Sequence, residues 1–437
     1  MDATMSEVVQ FIQENDVKFI RLAFCDIFGN QKNIAIMPTE LARAFEHGIH
    51  FNASALRGFL NVEDSDLLLF PDPGTMSVLP WRPAQGRVVR FYCDIRYPDG
   101  TPFEGDGRHL LREAGRRARR AGYAITMGTA SEFYLFELDD KGHPTTIPHD
   151  HGEYFDVAPL DKAENVRRQI CLTLEEMGIQ PESSHHEQGP GQNEVDFRYA
   201  EALEAADNFV TFKSVVKSMA SSSGLFASFL PKPLQGAPGS GLHLSISIMK
   251  DGKNLFHPSF EQSADGRSFV AGILRHAAEM TIFGNPLTNS FQRLGEYEAP
   301  KYITWSHQNR APLISIPLAN GQRANRMKVR AFDGCINPYI VFALLIHAGL
   351  DGIEQKLPLA PGCDENLFTA SDAVRYESLP ASLCDAVRCA ESSEFIARYL
   401  PQKARDAFFA AKQAEHDRIA LADDRLAAER SLYFERY

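Results

Sequence analysis

Two carboxylates, Glu187 and Glu194, flank a short Gly/Pro turn in the run HHEQGPGQNEVDFRY, His185 to Tyr199. Such a turn folds the chain back and can aim both side chains at one point. Hard divalent cations bind clustered carboxylate oxygens of this kind. Two solvated glutamates on a surface loop would give the same local pattern. Other segments add to the inventory. Glu132 is a charge inside the otherwise apolar stretch SEFYLF, 131–136. A charge there either faces water along a half-exposed strand or needs a cation as partner. GAPGSGLHLSIS, 236–247, is a Gly-rich turn leading to His243, which is either a metal ligand or a satisfied core histidine.

The cations come later in the chain. NSFQRLGEYEAP, 289–300, carries Arg293 and Glu298, and WSHQNR, 305–310, adds Arg310. In ANRMKVRAFD, 324–333, Arg326, Lys328 and Arg330 recur at period two, which puts all three on one face of a strand. Three cations on one face repel each other unless an anion sits there; an exposed basic strand is the alternative. A carboxylate cluster, a histidine, a glutamate on an aperiodic segment and a set of arginines suit metal-assisted phosphoryl transfer to a carboxylate, followed by attack of an amine.

The elements that position these groups read as follows. Residues 5–15 predict a helix, 17–25 a strand, and QKNIAIM its hairpin partner after the turn Ile27–Asn30. A short helix is expected near 40–47 and strands near 66–70, 75–79 and 88–95. The polar turn at 97–108 suggests a boundary, with an N-terminal domain over 1–102 and a second over 103–437. Helices are then expected at 108–121, 162–177, 200–223, 266–280, 337–354 and along the tail from Pro401, with strands at 124–138, 225–230 and 241–248.

Composition bounds the class. Of the 437 residues, 44% are hydrophobic and 23% charged, as in ordinary globular proteins. A net charge of -12 argues against nucleic acid or an anionic membrane as partner. No apolar run reaches the roughly 18 residues of a membrane span. The seven cysteines are scattered without a CxxC pair, and the opening MDATMSEVVQFIQEND reads as an acidic amphipathic helix, so a reducing cytoplasm is expected.

The chain resembles the glutamine synthetase family, type I, over nearly its whole length. The motifs run in the family's order: FCDIFG (24–29), FNASALRGF (51–59), SDLLLFPDPGT (65–75), CDIRYPDGTPFEGDGR (93–108), SEFYLF, GEYFDVAP (152–159), HHEQGPGQNE, FLPKPL with GSGLH, YEAP (297–300), NR (309–310), R-x-K-x-R (326–330) and NPY (337–339). The resemblance implies an α+β fold: an N-terminal β-grasp domain and a catalytic domain built on an antiparallel half-barrel with helices. It also implies a homo-oligomer, a dodecamer of two hexameric rings, with each site closed by a neighbour's N-terminal domain. The activity implied is an ATP-dependent carboxylate–amine ligase using Mg2+ or Mn2+.

By the same resemblance, Glu132, Glu187 and Glu194 correspond to the first metal site, and His243 to a ligand of a second. Tyr154, Gly239, His243, Arg293 and Arg330 are expected at the substrate. Arg310, Arg326 and Lys328 are expected at nucleotide phosphates. Asp26, Glu298 and Arg310 are expected as catalytic groups.

Departures from the family's pattern are specific. Ala130 and Lys328 stand where the family has glutamates of the second metal site, and Ser315 where it has an arginine on phosphate. Pro238 replaces an asparagine near the substrate, Asn52-Ala53 replaces Asp-Gly, and Phe368 replaces a tyrosine that some members modify. Three functions remain open. One is a ligase with an altered nucleotide and metal site. Another is ATP-independent, metal-assisted amide hydrolysis or lyase chemistry. The third is a non-catalytic ring.

Overall fold

The computed structural model describes residues 5–63, 65–82, 85–257, 260–307, 309–317, 325–370 and 375–437. Gln308 and Ala324, at the edges of two motifs, lie outside them.

The N-terminal part runs α1 (Met5–Glu14), β1 (Val17–Cys25), β2 (Gln31–Ile36), α2 (Leu41–His47), β3 (Ile49–Asn52), β4 (Asp66–Pro71), β5 (Ser77–Val78) and β6 (Arg87–Arg96). Its six-stranded sheet has the order β2-β1-β6-β4-β3, with β5 on β6. The β1–β6 pair is parallel and the rest antiparallel. Helix α1 buries Val8 and Ile12, one turn apart. The strand expected at 75–79 is shorter because Asp72 accepts from Gly74 N–H and closes a 3-10 turn at Pro73–Thr75. Gly29 at φ +80° ends the β1–β2 turn, where a Cβ would meet Asn337 Cα at 2.6 Å.

The larger part continues α3 (Gly107–Arg120), β7 (Tyr123–Leu138), β8 (Pro144–Pro148), α4 (Glu164–Glu176), β9 (Pro181–His186), β10 (Gln192–Phe197), β11 (Ala200–Glu201), α5 (Ala202–Ser222), β12 (Leu225–Ser228), β13 (Leu242–Lys250) and β14 (Lys253–Asn254). Then come α6 (Ala264–Arg275), α7 (Ala277–Gly284), β15 (Trp305–Ser306), β16 (Ile314–Ser315), β17 (Met327–Phe332), α8 (Pro338–Glu354), α9 (Leu383–Glu391), α10 (Glu394–Tyr399), α11 (Gln402–Ala420) and α12 (Arg425–Glu429). The 11-stranded sheet has the path β15-β16-β17-β13-β7-β10-β9. Its pairs are antiparallel except the short β15–β16 edge. The α+β class is the one expected.

Several boundaries differ from expectation. The helix expected at 266–280 breaks at His276, whose ring stacks on Phe395 at 4.0 Å and pairs with Glu279 at 2.9 Å. The tail is α11, α12 and a π-helical turn at Arg430–Phe434 rather than one helix. Helices α9 and α10 went unread, although serines mark both starts: Ser382 accepts from Asp385 N–H and Ser393 from Ile396 N–H.

A buried ionic knot joins the two parts. Arg108 of α3 contacts Asp72 (2.9 Å), Asp94 (2.9 Å) and Asp207 (2.8 Å). Tyr339 O–H donates to Asp207 at 2.7 Å, tying α8 into the same cluster. Removing the guanidinium would leave three facing carboxylates with less counter-charge. Arg108→Met is therefore expected to cost about 3–5 kcal/mol, read as a lower denaturant midpoint; an unchanged midpoint would show that the knot is not a stabilising joint.

Candidate active site

Strand period and register assemble the site. Glu132 on β7 lies directly opposite Glu194 on β10, and Glu194 lies opposite His185 on β9. Two residues along the same strands, His243 (β13), Ala130 (β7), Asp196 (β10) and Ser183 (β9) form a second row. Period two puts both rows on one face. Lys328 on β17 stands opposite Ser245 of β13 and Ser315 of β16.

Apart from Ala130 and Ser245, these residues line one cavity of about 910 Å³. It holds Glu132, Tyr154, Glu187, Glu194, Gly239, His243, Arg293, Glu298, Arg310, Arg326, Lys328 and Arg330. Every site residue expected from the sequence is therefore in it except Asp26. Asp26 is 5% exposed, and its Oδ1 accepts from Phe28 N–H, Asn30 N–H and the Asn30 amide, which closes the β1–β2 turn.

The acidic end is built tightly. Glu132 Oε2 accepts from Gly241 N–H at 2.8 Å and from Gln192 Nε2 at 3.2 Å. Glu187 follows β9, with its Oε1 2.9 Å from His185 Nε2. The turn beyond it is packed under Tyr134: a Cβ on Gly189 would meet the Tyr134 hydroxyl at 2.1 Å. Burial, then the Glu187 charge, pushes the Glu132 carboxyl up to about 7. Burial, then the Glu132 and Asp196 charges, holds Glu194 well above the usual carboxylate range. Crowded carboxylates of this sort lack positive charge, which is the condition a hard cation relieves.

The donor atoms form two overlapping sets, Glu132–Glu194–His243 and His185–Glu187–Glu194, each within 4.8 Å. His243 thus stands with the first-site carboxylates, while Glu187 is turned toward His185. Where the second site was expected, Ala130 offers a methyl group and Lys328 an ammonium, with His243 and Asp196 as the remaining possible ligands. Burial, then Arg330, Lys328, Arg293 and Arg310, holds the His243 imidazole well below its usual range, so it stays neutral.

The basic end lies across the cavity. Arg293 is 3% exposed and donates to the Ala331 carbonyl at 2.9 Å and the Arg330 carbonyl at 3.2 Å. Glu298 sits at the mouth, 3.5 Å from Arg310 and 3.8 Å from Arg330. Its segment is anchored by Lys232–Glu296 at 2.6 Å and by Tyr297 O–H donating to the Gly236 carbonyl at 2.7 Å. Tyr154 edges against His185, with ring centroids 5.6 Å apart.

Sequence reading missed His185 and Asp196. Asp196 Oδ2 accepts from Ser183 at 2.8 Å, while its buried Oδ1 has no donor. The signal was present: both lie at even spacing from Glu187 or Glu194 on the same hairpin.

The sequence matches the glutamine synthetase beta-Grasp domain over residues 16–98 and the glutamine synthetase catalytic domain over 104–431. The chain belongs to the glutamine synthetase family. It is 45% identical to glutamine synthetase of Methanosarcina mazei over 422 residues, 95% of this chain and 94% of that one. It is 44% identical to the Clostridium saccharobutylicum enzyme over 422 residues, 95% of each chain. Two solved structures are similar at a TM-score of 0.87. They are a GmaS/ADP complex, 30% identical, and an apo GmaS without ligand, 31% identical; each match covers 98% of this chain and 99% of the other. Glutamine synthetases are ATP-dependent carbon–nitrogen ligases that act on small molecules and use divalent metal, generally Mg2+ or Mn2+. No helix among the described residues is long and apolar enough to cross a membrane.

The raised Glu132 carboxyl links pH to metal. The folded chain holds a proton that the unfolded chain releases near the ordinary value of 4.5, so this group's stabilisation is lost as pH rises from there to about 7. A cation on the carboxylates removes that loss. The Mn2+-induced rise in melting temperature should therefore be small near pH 5 and grow through about pH 7; a gain independent of pH would contradict the carboxylate assignment.

Proposed function

We propose that this chain is an ATP-dependent carboxylate–amine ligase with gamma-glutamyl-phosphate-type chemistry, one resident divalent cation, and Lys328 in place of a second. The observation that carries it is a single cavity with a cluster of carboxylates on one side and a cluster of cationic side chains on the other. Glu132, Glu187 and Glu194, with His243 or His185, would hold the cation, the two donor sets being alternatives for one ion because Glu194 belongs to both. That cation supplies charge for a carboxylate or phosphate oxygen.

The chain's own groups do the rest. Arg293 and Arg330 orient the acid substrate's carboxylate, and Gly239 lets the backbone approach it. Arg310, Arg326 and Lys328 neutralise phosphate oxygens, lysine acting as a point charge. Glu298, steadied by Arg310 and Arg330 at the mouth, accepts the proton of an incoming ammonium or primary amine beside Tyr154. An ammonium about 4 Å from a divalent ion costs ~8 kcal/mol at an effective dielectric of 20. That scale is why Lys328 and a second ion are read as mutually exclusive.

We place the domain boundary at 102/103, within the turn after β6, and the protein in the cytoplasm. A dodecamer of two hexameric rings is part of the same reading. Phe155, which lines the cavity, and Val157 and Leu160 in the same segment are 60%, 72% and 59% exposed, apolar surface that a neighbour would cover. Light scattering decides between that ring and a single 48.8 kDa chain.

Lys328→Met keeps the side-chain length and removes the charge. It should weaken ATP binding by calorimetry, and turnover with it, about ten- to hundredfold, the scale of one charge-assisted contact. If the unaltered protein binds no nucleotide with Mg2+ or Mn2+, the ligase reading fails, and ATP-independent chemistry or a non-catalytic ring takes its place.

A further inference from the structure

A second cavity, of about 340 Å³, opens where the β1–β2 turn, α5, Gly334 and the segment at Arg436–Tyr437 meet. It shares no lining residue with the catalytic cavity. Four cationic side chains line it: Lys32, Lys213, Lys217 and Arg436. Lys213 and Lys217 are one turn apart on α5, so they project from the same helix face, an arrangement of like charges that costs stability.

Their partners are neutral. Lys213 Nζ donates to the Gly334 carbonyl at 3.3 Å, and Lys217 Nζ to the Arg436 carbonyl at 3.1 Å. Among the described residues neither ammonium has a carboxylate within 4.0 Å. Lys32 is 3.7 Å from Asp26, but that carboxylate already accepts three hydrogen bonds within its own turn. Burial, with Lys213 adding to it, pushes the Lys217 amine down to about 8. Lys213 feels the Asp333 and Asp26 charges from further off, but buried ammoniums whose contacts are carbonyls are short of negative charge. Ser214, whose hydroxyl donates to Gln31 at 2.8 Å, and the Asn30 amide add polar groups to the wall.

We propose that this cavity binds a small, multiply charged oxyanion of the phosphate class, held by Lys213, Lys217 and Lys32 with Arg436 at the rim. Lysines suit it as point charges around a compact anion. The bound anion would tie the N-terminal sheet to α5. The proposal is independent of the catalytic reading.

The probe is inorganic phosphate, titrated by calorimetry in chloride of matched ionic strength. Because the catalytic cations also attract phosphate, Lys328→Met serves as the control and the paired change Lys213→Met with Lys217→Met as the test. The expected result is a binding component that survives Lys328→Met and weakens about tenfold or more in the paired variant. The phosphate-induced rise in melting temperature should shrink with it, while ATP turnover in phosphate-free buffer stays unchanged. Should the paired variant not fold, Lys217→Gln alone gives the same comparison. Equal phosphate binding in the unaltered and paired-variant proteins would overturn the proposal. So would a loss of stability without phosphate in the paired variant together with no response to phosphate in either protein, because the lysines would then only brace the two carbonyls.

Discussion

Glu132 faces Glu194 directly across two hydrogen-bonded strands, and like charges in that position push the strands apart. The rest of the site follows from keeping them there. Gly241 N–H and the Gln192 amide hold one Glu132 oxygen, and the β9–β10 turn brings Glu187 and His185 to the same end. Across the same cavity β17 presents Lys328 and Arg330. The curved sheet thus separates excess negative from excess positive charge inside one space.

Ala130 and Lys328 change that balance in one direction. The first removes a carboxylate from the row shared by His243 and Asp196, and the second adds a cation nearby. Asp196 is the remaining anion of that row, and its charge offsets the repulsion that Arg326 exerts on Lys328. This end of the cavity is therefore cationic through its side chains. An ammonium polarises phosphate less than a divalent ion does, so the account implies slower chemistry at unchanged geometry.

Much of this was legible in the sequence for physical reasons. Period two at Arg326, Lys328 and Arg330 specified a shared face, and the Gly/Pro turn between Glu187 and Glu194 specified a hairpin. What Asp26 touches was illegible because a motif does not reveal which way a carboxylate points; the turn geometry shows its Oδ1 engaged by Phe28 and Asn30. The pairing of His243 with Glu132 and Glu194 was illegible for a related reason, since it depends on strand order, β13 beside β7 beside β10, which local pattern does not encode. The break at His276 arises from stacking on Phe395, more than a hundred residues away.

The central claim is that one divalent ion, not two, resides in each chain because Lys328 occupies the charge of the second. The direct measurement is the number of Mn2+ ions bound per chain without nucleotide, counted from the spectrum of free Mn2+ during a titration. The account predicts one in the unaltered protein and two after the paired change Ala130→Glu with Lys328→Glu. Two ions in the unaltered protein would contradict it.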